Sequence, residues 1–90
     1  MNGSTYEEVA AHPTVPAFPL RALKKGQSAV ISAITAEGEM GRRIRDMGLI
    51  PGVQVKCVGH APLNDPMAMR LMGFTLTLRN KEADYIQVRA

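Results

Sequence analysis

Residues 42–55, RRIRDMGLIPGVQV, combine a helical rhythm, two turn signals and the start of a strand. Taken back to Glu39, the stretch places Met40, Ile44 and Met47 at i, i+4 and i+7, one stripe of an α-helix. The spacing predicts a helix over 39–47. Glu39 suits the positive end of that helix's dipole. Gly48 stands where a left-handed residue is expected just past the end, so that Leu49 can fold back on the last turn. Pro51 pre-sets one central φ of the next turn, and Gly52 accepts the positive φ that a type II turn needs at the following position. Val53, Val55 and Cys57 then share one face of a strand, with Gln54 and Lys56 on the other. Arg42, Arg43, Arg45 and Asp46 take the sides of the helix away from its apolar stripe.

Outward from this elbow the chain reads as strands. Upstream, FPLRALKKGQSAVISAI (residues 18–34) gives an entry strand, a turn at Lys24, Lys25 and Gly26, and a second strand, with Leu20 and Leu23 as apolar anchors. Downstream, GHAPLNDP (59–66) is a loop by its glycine, prolines, Asn and Asp. MAMRLMG places Met67, Met69 and Leu71 on one face, and FTLTLR points Phe74, Leu76 and Leu78 inward. Asn80 to Asp84 form a short turn, and YIQVR closes the chain as a last strand. This pattern predicts a mainly β fold, a small five-stranded SH3-like barrel with one short α-helix, with an OB barrel as the alternative. Residues 1–17 have two prolines and little periodicity. They read as a flexible leader carrying at most a short helix over Tyr6–Ala11, before a barrel domain over 18–90.

Composition bounds the function. Ninety residues make one domain. With 46% hydrophobic residues, 4% aromatics, no tryptophan and six methionines, the core is aliphatic. The net charge of +3 favours an acidic protein surface, an anionic lipid or a nucleic acid as partner. Cys57 is the only cysteine, so no intramolecular disulfide forms, which suits a reducing compartment. No apolar run approaches the ~18–20 residues that span a bilayer, and the N-terminus lacks the features of a signal peptide. A cytoplasmic protein is expected.

Three segments together carry a resemblance. Leu20, Leu23 and Gly26, then RRIRDMGLIPGVQVKCV, then DPMAMRLMGFTLTLRNKEADYIQV look like the FeoA family of bacterial ferrous iron transport proteins. The match runs over about residues 18–89. The resemblance implies an SH3-like barrel without catalytic activity, a cytoplasmic accessory of FeoB, the membrane ferrous-iron transporter with a cytoplasmic GTP-binding domain. The same module closes metal-dependent repressors, so a stand-alone metal-responsive regulatory domain is the alternative.

The residues themselves show no catalytic constellation. His12 lies in the leader and His60 in a loop, and Cys57 alternates with apolar neighbours instead of facing a positioned base. Zinc or iron sites need three or four convergent ligands; Asp65 with His60 offers at most a surface half-site, and no metal or cofactor is expected. GEMGRR lacks the Lys-Ser/Thr end of a phosphate loop, so GTP binding is not expected. Scarce aromatics disfavour nucleic acid, whose stacking platforms need exposed rings. The docking of a protein partner is the expectation that remains, through Arg42, Arg43 and Arg45 on the helix and Leu49 and Ile50 at the turn. The glycines and proline hold that basic face rigid, and preorganised charge speeds encounter and fixes register.

Overall fold

The computed structural model describes residues 16–90, so nearly all of the expected leader, including the helix over Tyr6–Ala11, lies outside the described residues. Alternating apolar residues build six strands: β1 Phe18–Pro19, β2 Ser28–Ile34, β3 Gln54–His60, β4 Met67–Leu71, β5 Phe74–Leu78 and β6 Ile86–Arg89. They form one sheet in the order β1-β6-β2-β3-β4-β5, and every pairing is antiparallel. Register shifts between Ile31 and Ala33 and between Cys57 and Gly59 bend the sheet. Its terminal strands β1 and β5 do not pair, so the barrel stays open between them. The expected entry strand is present as the two-residue β1, which brings the strands to six where a five-stranded barrel was expected. Beyond β1, the predicted entry strand becomes a 3-10 turn over Leu20–Ala22, which buries both Leu20 and Leu23.

The inner faces carry the predicted periodicity. Ala29 and Ile31 of β2, Val55 and Cys57 of β3, Met67, Met69 and Leu71 of β4, Leu78 of β5 and Ile86 and Val88 of β6 are all buried in one cluster. Burying a side chain of this size stabilises the fold by roughly 1.5–3 kcal/mol. Cys57 is a free thiol within that core. Two expectations are corrected here. β3 extends through His60, which pairs with Met67, so His60 is a strand residue and not a loop residue. Phe74 has the inner-face parity but is 45% exposed and not buried. The reason is the hairpin between β4 and β5: Leu71 pairs with Phe74, and Met72 and Gly73 form a two-residue turn with φ of 48° and 85°. Positive φ at both central positions matches the strand twist, but it leaves the Phe74 ring at the rim.

Two helices join the strands. The helix predicted over 39–47 is α1, Gly38–Asp46, with Met47 as its C-cap. The short turn after β5 is α2, Asn80–Ala83, which buries Glu82 and Ala83.

Candidate functional site

The elbow α1–β3 is built from its apolar stripe outward. Ile44 is fully buried, and Met40 and Met47 pack against the core. The close of α1 is a Schellman motif: Gly48 N–H donates to Arg45 O at 2.9 Å and Leu49 N–H to Ile44 O at 3.3 Å, with Gly48 at φ +95°. The type II turn follows, with Val53 N–H donating to Ile50 O at 3.2 Å and Gly52 at φ +96°. That turn is fastened to β2, because Gly52 N–H donates to Ile31 O at 2.8 Å and Ile31 N–H to Val53 O at 2.9 Å. The backbone at both ends of the elbow is therefore held by hydrogen bonds to ordered structure.

The five residues expected to dock fare differently. Arg42 is exposed and makes a loose pair with Glu39, its Nη2 lying 3.5 Å from Oε2. Such an exposed pair contributes little, about 0.3–0.5 kcal/mol, and releases its arginine readily. Arg45, three residues on, shares that side of the helix and is also exposed. Ile50 is 44% exposed at the turn. Leu49 is a correction: it is fully buried, because the Schellman geometry folds it back into the core, and it offers no contact surface. Arg43 is committed within the fold, donating from Nη2 to Glu82 Oε2 at 3.1 Å. The Glu82 side chain is only 10% exposed, so this pair fastens α1 to α2.

Glu82 was not singled out from the sequence, although a signal for it exists. Glu82 lies three residues past Arg79, where an acid reaches back to the start of a helix, and its Oε1 accepts the Arg79 N–H at 3.0 Å. Met72 was missed as well. It is 67% exposed, and its Cε would lie 3.4 Å from a Cβ added at Gly48, so it stands beside the elbow. Nothing in the sequence places Met72 there, because the contact depends on the β4–β5 turn. Arg42, Arg45 and Ile50 are thus exposed residues of the elbow, with Met72 standing beside Gly48.

His60 and Asp65 each use one polar atom within the fold, while His60 Nδ1 has no hydrogen-bond partner among the described residues. His60 Nε2 donates to Leu23 O at 2.8 Å, and Asp65 Oδ1 accepts the Asn80 N–H at 2.9 Å at the start of α2. Among the described residues no group of three or more His, Cys, Asp or Glu side chains converges to hold a metal ion. Among them, too, no helix is long and apolar enough to cross a membrane.

Comparison with known proteins agrees with this architecture. The family model described as FeoA domain matches residues 18–90. The Fe(2+) transport protein A/Fe(2+) transporter FeoB fusion protein of Porphyromonas gingivalis (strain ATCC BAA-308 / W83) is 36% identical over 69 residues, covering 77% of this chain. The chain spans only 8% of that relative's length. Among solved structures, the FeoA-like protein from Clostridium acetobutylicum superposes with a TM-score of 0.75 at 35% identity, over 80% of this chain and 84% of that one. The zinc complex of Stenotrophomonas maltophilia FeoA, described as an SH3 domain protein, gives 0.69 at 27% identity, over 79% and 88% of the two chains. The strand order, the α1 elbow and a family match spanning the whole barrel lead to one conclusion: this chain belongs to the FeoA family and carries its SH3-like fold.

Proposed function

We propose that this chain is a non-enzymatic, cytoplasmic accessory of ferrous iron uptake that docks on the cytoplasmic GTPase region of a FeoB-like membrane transporter. The observation that carries the reading is the relative in which the same domain and a FeoB transporter are named as one fusion protein. Joining two modules in one chain turns their contact into an intramolecular event at high effective concentration. The Stenotrophomonas protein, proposed to act as a bacterial ferrous iron transport activating factor, supports the same role.

Arg42, Arg45 and Ile50, with Met72 beside them, are the docking face under this reading. Arg43 supports that face from below through Glu82, and Leu49 anchors it. The elbow fixes the backbone that carries two exposed arginines, so only their side chains have to be ordered on binding. Co-purification tests the function: the full chain, immobilised, should retain the cytoplasmic region of a FeoB-like transporter at near-physiological ionic strength. Failure to retain it in the apo, GDP-bound and GTP-analogue-bound states alike would remove the reading.

A further inference from the structure

A second basic feature lies outside the elbow. The Leu20–Ala22 turn, the Lys24–Gly26 turn, the end of β3 and the start of α2 enclose a groove of about 810 Å³. Its lining includes Arg21, Lys24, Lys25, His60, Asn80 and Asp84. Asp84 is the one acid in that lining, and its Oδ1 is engaged by Arg21 Nε at 3.1 Å. Lys24 and Lys25 are exposed and make no ion pair among the described residues. The groove therefore presents uncompensated positive charge.

Its walls are fixed in advance. Gln27 N–H donates to Lys24 O at 2.8 Å, and Gln27 Oε1 accepts the Lys24 N–H at 3.0 Å. The lysine turn is fastened to β3 by Gly26 N–H to Cys57 O at 2.8 Å and Cys57 N–H to Gln27 O at 2.9 Å. His60 holds the Leu23 carbonyl, and Asn80 Nδ2 donates to Asn64 O at 2.9 Å, closing the opposite side. The backbone that carries the lysines is thus set before any ligand arrives, which lowers the cost of binding.

We propose that this groove binds an extended, carboxylate-rich peptide segment of a partner protein. The volume is within the range of sites for drug-sized ligands, roughly 300–1,000 Å³, and far exceeds one inorganic anion. Pro19 and Ala22, both exposed, supply apolar lining for the stems of a peptide, and Lys24 and Lys25 match its carboxylates in charge. No aromatic ring lines the groove, so it lacks the stacking platform that a single-stranded nucleic acid uses. The inference does not rest on the elbow as a docking face.

The test is a chemical-shift titration of the isotope-labelled full chain with a terminally blocked peptide of alternating Glu and Gly, at about 0.15 M salt. Perturbations should concentrate at Arg21 to Gln27, His60, Asn64 and Asn80. Lys24→Glu/Lys25→Glu, both exposed positions, should weaken binding by about tenfold with the dispersed spectrum of the folded chain retained. Arg42→Glu/Arg45→Glu should change it by less than about twofold. Control arms use the matching Lys–Gly peptide, inorganic phosphate and an oligouridylate. The proposal is overturned by any of four results: unchanged affinity in the lysine variant, perturbations centred on α1, equal binding of the Lys–Gly peptide, or stronger binding of phosphate or oligouridylate at the same residues.

Discussion

Glu82 holds two elements with one carboxylate. Oε1 accepts the Arg79 N–H at the start of α2, and Oε2 accepts the Arg43 guanidinium from α1. Removing the arginine leaves a nearly buried acid facing no cation. Arg43→Ala should therefore lower stability by about 1–2 kcal/mol, less than for a fully buried pair because the arginine is half exposed. In a Glu82→Gln background the same substitution should cost much less, and urea unfolding of the four-member cycle should show a coupling of about 1 kcal/mol. Gly41 makes a complementary point about space. It lies within α1, where alanine is ordinarily favoured by about 1 kcal/mol. An added Cβ would lie 2.6 Å from the Ala36 carbonyl oxygen, a backbone atom that cannot swing aside. Gly41→Ala should thus destabilise the chain by about 1–3 kcal/mol, and a rise in thermal midpoint on that substitution would contradict the packing described for α1.

Among the elements, the elbow was the most legible in the sequence. The Met40, Ile44 and Met47 stripe, Gly48 and the Pro51–Gly52 pair each depend on local spacing alone, and α1 falls within one residue of its predicted ends. Alternation likewise revealed β3, β4 and β6. What could not be read depends on contacts between distant segments. Leu49 was expected both to fold back and to meet a partner, and the Schellman bond to Ile44 decides for the first. Phe74 has the right parity for the core, but a turn with Met72 in left-handed backbone, where Asn or Gly would be the usual signal, moves it to the rim. Arg43 looked equivalent to Arg42 until α2 brought Glu82 against it, 39 residues away. Neighbouring turn residues should accordingly separate in experiment. Leu49→Ala should cost about 2–5 kcal/mol in chemical denaturation, whereas Ile50→Ser should stay within about 0.5 kcal/mol and weaken only partner binding.

For the whole molecule, the open barrel carries two sets of exposed basic residues, Arg42 and Arg45 on α1 and Lys24 and Lys25 at the groove. Among the described residues no three His, Cys, Asp or Glu side chains converge, so calorimetric titration with Fe(II) or Mn(II) should detect no stoichiometric site tighter than micromolar. A tight, stoichiometric heat would favour a metal-responsive role. The most direct test of the docking account is the affinity of the full chain for the cytoplasmic region of a FeoB-like transporter, compared between wild type and Arg42→Glu/Arg45→Glu. That pair spares Arg43, whose reversal would set two acids together at Glu82 and confuse docking with folding. A loss of about tenfold or more, at unchanged stability and with weaker salt dependence, is the predicted result; equal affinity of the two proteins would contradict it.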